Sequence, residues 1–95
     1  MALTVHLIVS GRVQGVGYRD ALVERAVAEG VTGWVRNRRD GTVEAILQGE
    51  AAAVTAVKAW ARRGPPAARV RELVEQPAPD DCDMPYDRFE RLPTA

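Results

Sequence analysis

Two switches of hydrophobic period, each from the alternation of a strand to the spacing of a helix, constrain this 95-residue chain more than any other feature. Leu3, Val5, Leu7 and Val9 alternate with Thr4, His6, Ile8 and Ser10, the pattern of a strand with one buried face, placed centrally in its sheet. From Tyr18 to Glu29, Leu22, Val23, Ala26 and Val27 recur at helical spacing, while Asp20, Glu24, Arg25 and Glu29 mark the wet side. Gly30 then ends the helix as a left-handed cap. Val31 to Asn37 is expected to be a second strand with Trp34 as its largest apolar anchor. Asp40-Gly41 supplies turn chemistry within Arg38-Arg39-Asp40-Gly41, and Thr42 to Gln48 returns as a third strand with Val43, Ala45 and Leu47 on one face.

After Gly49 the period changes again. The second helix runs from about Glu50 to Arg63, with Ala53, Val54, Val57, Trp60 and Ala61 as its apolar side, and Gly64-Pro65-Pro66 stops it. Arg69 to Gln76 reads as a fourth strand, in which Val70, Leu73 and Val74 fail to alternate cleanly, the mark of a bulge. Pro77 to Pro85 is a polar loop. Tyr86 to Leu92 is expected to add a short last strand anchored by Phe89, although Arg91 falls where alternation prefers an apolar residue.

Strand, helix, strand, then strand, helix, strand is the split βαβ order (βαββαβ): an α+β, ferredoxin-like sandwich, with an antiparallel sheet and two helices on one face. A chain of this length, 46% hydrophobic and 27% charged, supports one core, so residues 1–95 are expected to form a single domain. A monomer is the default for so small a domain without an obvious apolar patch.

The charge balance narrows the function classes. Formal net charge is zero, so no global field recruits nucleic acid or an anionic membrane. Cys82 is the only cysteine and has no intramolecular partner, and no cysteine-histidine cluster exists to hold zinc. Asp80, Asp81 and Asp83 read as a solvated run rather than a metal site. The start of the sequence has neither the basic region nor the long apolar stretch of a signal peptide, and no apolar run is long enough for a membrane span, so a cytoplasmic location is expected.

The chemistry concentrates in Ser10-Gly11-Arg12-Val13-Gln14-Gly15-Val16-Gly17-Tyr18-Arg19. This is a glycine-bearing loop between a strand and a helix. Glycines let backbone N–H groups turn inward, and the helix start adds free N–H groups and the positive end of its dipole, a combination suited to an anion. Arg19 lies in or beside the first helical turn, where a guanidinium can fork onto two phosphoryl oxygens. Such a loop is often only a turn. It is not a P-loop, because the Gly-Lys-Ser/Thr ending is missing, and Asp20 stands where the dinucleotide fingerprint needs its third glycine.

In the split βαβ order the first and second strands run parallel with the third between them. That brings Asn37 to the same end of the sheet as the loop, two strand spacings or roughly 10 Å away. Arg36, Arg38 and Arg39 flank Asn37 and are expected to make this edge positive. His6, the only histidine, tempts a general-base assignment, but a lone histidine on a strand face is more often structural or solvated. Tyr18 is expected to pack the helix start against the sheet rather than stack on a ligand.

Gly11-Arg12-Val13-Gln14-Gly15-Val16-Gly17-Tyr18-Arg19, together with Gly33-Trp34-Val35-Arg36-Asn37 and Asp40-Gly41-Thr42-Val43-Glu44, resembles the acylphosphatase family. The likeness extends through Gln48-Gly49 and Gly64-Pro65 to Ala68-Arg69-Val70. Gly17 departs from it, standing where many members carry an aromatic residue, and the C-terminal tail fits poorly. The resemblance implies that Arg19 binds phosphate together with the backbone N–H groups of Gln14, Gly15, Val16, Gly17 and Tyr18, and that Asn37 orients the attacking water. It implies no metal and no cofactor. The implied substrate is a small acyl phosphate, cleaved at the carboxyl-phosphate bond to a carboxylate and inorganic phosphate. Bisphosphoglycerate, acetyl phosphate and carbamoyl phosphate all present the same group to the loop, and the sequence alone does not choose among them.

Readings from other classes are weaker. A non-catalytic ferredoxin-like module that binds an anion or regulates a partner shares the element order. An RNA-recognition domain would carry strand aromatics in a basic Gly-Phe-rich motif, which this chain lacks. An acylphosphatase-like domain of a carbamoyl-transferring maturation protein would be followed by a cysteine-rich extension, and none is present in these residues.

Overall fold

The computed structural model describes residues 2–95. Its elements follow the expected order: β1 (Ala2–Arg12), α1 (Tyr18–Glu29), β2 (Thr32–Asn37), β3 (Val43–Glu50), α2 (Ala51–Ala61), β4 (Arg69–Pro77) and a short β5 (Phe89–Arg91). They form a five-stranded sheet in the order β4-β1-β3-β2-β5. β1 is an interior strand between β4 and β3, and β1, β3, β2 and β4 are joined by antiparallel ladders. β5 departs from the expected all-antiparallel sheet. It lies parallel to β2, with Gly33 opposite Phe89 and Val35 opposite Arg91, so the sheet is mixed at that edge.

Register decides which face each residue takes. Val5, Leu7 and Val9 lie opposite Leu47, Ala45 and Val43, and Val35 lies opposite Ala45; all are buried. Together with Leu22 and Ala26 of α1 and Val54, Val57 and Ala61 of α2 they form one hydrophobic cluster, so both helices cover the same face. Gly30 caps α1 in the left-handed conformation, donating its N–H to Ala26 and Val27 carbonyls.

Three expectations about packing are corrected. Val27, expected on the apolar side of α1, is 63% exposed, because the buried stripe is the i, i+4 row of Tyr18, Leu22 and Ala26 and Val27 sits about 100° round from it. Trp34 is not the core anchor of β2. Alternation gives the core face to Gly33, Val35 and Asn37, and turns Trp34 to the helix-free face, where the Arg36 guanidinium lies 4.7 Å from its ring centroid. α2 is shorter than expected, ending at Ala61, with Gly64 closing the following turn through an N–H bond to the Trp60 carbonyl.

The bulge in β4 is real. Ser10 pairs with Glu72 and Gly11 with Val70, which leaves Arg71 as the extra residue. That insertion puts Val70 and Leu73, three apart in sequence, both against the core and leaves Val74 exposed.

β4 and β5 lie at opposite edges, so the chain between them must cross the sheet. It does so over the helix-free face: the Gln48 side chain donates to the Met84 carbonyl at 2.7 Å and accepts from the Tyr86 N–H at 2.9 Å. On that face His6 is buried between the Glu44 carboxylate and the Gln76 side chain, each at 2.7 Å. Burial alone would raise the Glu44 carboxyl, but hydrogen bonds from Arg36 and His6 outweigh it and hold the group below its ordinary range. No described helix is long and apolar enough to cross a membrane.

Candidate active site

Between β1 and α1 the chain turns through Val13 to Gly17. Val13 is buried and fixes the entry, and Val16 packs on the core from the middle of the turn. Gly15 and Gly17 both have positive φ, 73° and 80°. A Cβ at either would meet nothing within 4 Å, so it is backbone conformation, not crowding, that calls for glycine there. Left-handed residues alternating with ordinary ones turn successive N–H groups toward one side. The N–H groups of Gln14 to Gly17 donate to no other protein group among the described residues. The first helical bond runs from Ala21 N–H to the Gly17 carbonyl at 3.1 Å, so the amides of Tyr18, Arg19 and Asp20 also stand free of the helical ladder.

A cavity of about 130 Å³ opens on these amides. It is bounded by Val13, Gly15 and Gly17 of the loop, by Tyr18, Arg19 and Asp20 of the first turn of α1, and by Arg91 of β5. The space is several times the ~30 Å³ share of one water molecule, enough for a phosphoryl group. Arg19 is half-buried and forms no ion pair among the described residues, so its charge faces the cavity uncompensated. Two roomier grooves, of about 360 and 400 Å³, flank Trp60, Pro65 and Pro66, but neither is lined by the positive-φ loop.

Asn37 ends β2 opposite Val43, on the helix-bearing face, with 9% of its surface exposed. Its backbone carbonyl accepts from the Ala95 N–H, whereas its side-chain Oδ1 is buried and accepts no hydrogen bond from the described residues. A buried amide oxygen without a donor is costly and marks a place where a polar group belongs. Asn37 does not line the cavity itself. What joins the two is Gln14, whose Nε2 donates to the Arg38 carbonyl at 2.8 Å and the Thr42 carbonyl at 2.9 Å, fixing the loop to the hairpin that begins where Asn37 ends.

Comparison with known proteins now settles the family. A family-wide sequence model described as acylphosphatase matches residues 5–91. The chain belongs to the acylphosphatase family. A Bordetella parapertussis acylphosphatase is 63% identical over 73 residues, covering 77% of this chain and 78% of that protein. Acylphosphatase 1 of Ralstonia nicotianae is 56% identical over 96 residues, covering 98% and 91%. Among solved structures, an acylphosphatase from Coxiella burnetii superposes with a TM-score of 0.87 at 31% identity, covering 96% of this chain and 93% of that one. Identity at this level over most of the chain makes it an acylphosphatase enzyme rather than a bare ferredoxin-like module.

Several acylphosphatase site expectations change in detail. Gly15, Gly17, Tyr18 and Arg19 line the cavity; Gln14 and Val16 do not, the Gln14 side chain reaching the hairpin and the Val16 side chain packing on the core, while their backbone N–H groups donate to no other group among the described residues. Tyr18 is buried, its ring 5.8 Å from that of Trp60 and its hydroxyl donating to the Ala61 carbonyl at 2.7 Å; burial pushes the phenol well above its ordinary pKa. Arg36 does not add positive charge to this edge. Alternation turns it to the far face, where its Nε donates to Glu44 at 2.8 Å. Sequence reasoning did not bring Arg91 to this cavity, although its break in the alternation of β5 was the available signal.

Proposed function

We propose that this acylphosphatase hydrolyses small acyl phosphates with Arg19 and the amides of Gln14 to Tyr18 binding the phosphoryl group and Asn37 orienting water. The observation that carries the reading is the buried, donor-less Oδ1 of Asn37 at the strand end that Gln14 ties to the amide loop. An acyl phosphate leaves as a carboxylate, a good leaving group, so neither a strong general acid nor a metal is needed to open it. What remains is to hold a dianion, neutralise charge on the transferring oxygens, and align water behind phosphorus. The free amides and the unpaired Arg19 guanidinium suit the first two tasks. Asn37 suits the third: its oxygen accepts a hydrogen bond from the water, whose proton stays on the attacking oxygen, and so aims the lone pair.

An amide is a poor base. A phosphoryl oxygen of the substrate therefore takes the one proton that water gives up as the P–O(acyl) bond breaks, giving inorganic phosphate and the free carboxylate. His6 supports no alternative, since it is buried on the opposite face between Glu44 and Gln76. The rate is expected to be flat through neutral pH.

The deciding experiment follows hydrolysis of an aryl acyl phosphate by absorbance, with chelator present, for the wild type and Asn37→Ala. Chelator-resistant turnover that drops roughly 10²-fold or more in the variant, with inorganic phosphate still inhibiting, supports the assignment. Wild-type turnover in Asn37→Ala removes the water-positioning role, and loss of wild-type turnover to the chelator removes the metal-free mechanism.

A further inference from the structure

The cavity holds a second guanidinium, Arg91, outside the set proposed above for the phosphoryl group. Arg91 pairs with Val35 in the parallel ladder and so shares the helix-bearing face with Val35 and Asn37, and it lines the cavity together with the loop. Its Nη1 donates to Asp20 Oδ1 at 2.7 Å, and its side chain remains 47% exposed. An exposed pair of this kind contributes little to stability and is easily exchanged for a better anion. Asp20 thus keeps the Arg91 fork at the mouth of the site without committing its charge. Arg19 is the unpaired cation of the cavity, whereas Arg91 is a held one, and nothing apolar is gained by placing an arginine where β5 alternation asks for a core residue.

We propose that Arg91 selects acyl phosphates that carry a second anionic group on the acyl side. The inference rests on the assignment of Arg19 and the amide loop to the phosphoryl group. With that group seated, the acyl chain leaves the cavity past its rim, and a carboxylate or phosphate on the chain meets the Arg91 fork, displacing Asp20. A guanidinium matches either anion bidentately. A neutral acyl group gains nothing from it.

The test compares kcat/KM for acetyl phosphate, succinyl phosphate and 3-phosphoglyceroyl phosphate in the wild type, Arg91→Leu, Arg91→Gln and Asp20→Asn. A charge-assisted contact predicts that the wild type prefers one or both of the anionic acyl groups over acetyl phosphate by about ten- to a hundredfold, mainly through KM. Preference for succinyl phosphate alone assigns a carboxylate, and preference for the phosphoglyceroyl compound alone assigns a phosphate. Arg91→Leu and Arg91→Gln are expected to erase the preference, and Asp20→Asn, which removes the competing carboxylate, to keep or increase it. If Arg91 only straps β5 to α1, then Arg91→Leu and Asp20→Asn shift all three substrates alike, and the proposal is overturned. Equal wild-type use of the three substrates also overturns it while leaving the phosphoryl site intact. A wild type that turns over none of them overturns the site assignment itself, a separate and recognisable failure.

Discussion

Gln14 holds Arg38: the side-chain amide on the loop after β1 donates to a main-chain carbonyl just past the end of β2, at 2.8 Å, and to Thr42 across the turn at 2.9 Å. These bonds join two elements that the sheet keeps apart by β3. They set how the amide loop sits relative to Asn37. Gln14→Ala is therefore expected to leave phosphate binding within a few-fold while lowering kcat by roughly tenfold to 10²-fold, since small misplacements of a reacting pair are costly. The check is kcat for an aryl acyl phosphate beside the inhibition constant of inorganic phosphate. An unchanged kcat would show that the loop and the hairpin keep their register without Gln14.

Arg19→Lys keeps the charge at the cavity and loses the fork. Because Arg19 has no competing ion pair among the described residues, its exchange is expected to act on the substrate alone and not on folding. Most activity should disappear, with weaker inhibition by inorganic phosphate and an unchanged melting temperature. Activity close to that of the wild type would mean that a point charge suffices and that the amides alone orient the phosphoryl group.

The parts of the molecule legible in its sequence were those governed by a single period. Leu3 to Val9, the helical row through Leu22 and Ala26, and Val43 to Leu47 each obey one spacing, and from these came the order of the elements and the antiparallel ladders among β1 to β4. Residues whose placement depends on two constraints were not legible. Trp34 is the largest apolar residue of β2, but register outranks size, and the face it occupies was set by Asn37 and Val35. Arg36 follows the same rule. Val70 and Leu73 needed the bulge opposite Ser10 and Gly11 to share a face. Arg91 is polar on a core-facing strand position, and only the neighbouring Asp20 and the cavity explain why.

Acid should find the Glu44 cluster before it finds the core. The Glu44 carboxyl is held below its ordinary range by Arg36 and His6, so the folded state binds its proton less readily than the unfolded chain does. The resulting stabilisation is present above the unfolded value, about 4.3, and is lost as pH falls through the lower folded value. Glu44→Gln is expected to lower stability by about 1–3 kcal/mol near neutral pH, because the amide carries no charge and offers one acceptor oxygen where the carboxylate gave one each to Arg36 and His6. The difference from the wild type should shrink as pH falls below about 4. Urea denaturation midpoints across pH 3–7 (roughly the span of carboxylate titration) read this directly, and a constant difference would mean that Glu44 acts through shape rather than charge.

Tyr18 ties the start of α1 to the end of α2 by donating its hydroxyl to the Ala61 carbonyl at 2.7 Å in a buried setting. Tyr18→Phe leaves that carbonyl unpaired, at a cost of about 1–3 kcal/mol near neutral pH. In a domain of this size each lost kcal/mol lowers the melting temperature by about 4–8 °C. Alkali adds an independent sign. Burial raises the Tyr18 phenol, so the folded state holds its proton more tightly than the unfolded chain; the stability this gives is complete below pH about 10, the unfolded value, and drains away as pH rises above it. The variant has no phenol at this position to ionise. Its stability should therefore start lower than that of the wild type and fall less steeply above pH about 10, so that the two denaturation curves approach each other. Parallel curves would mean that the Tyr18 hydroxyl ionises in the fold as readily as in the unfolded chain, and that its bond to Ala61 does not hold the proton in place.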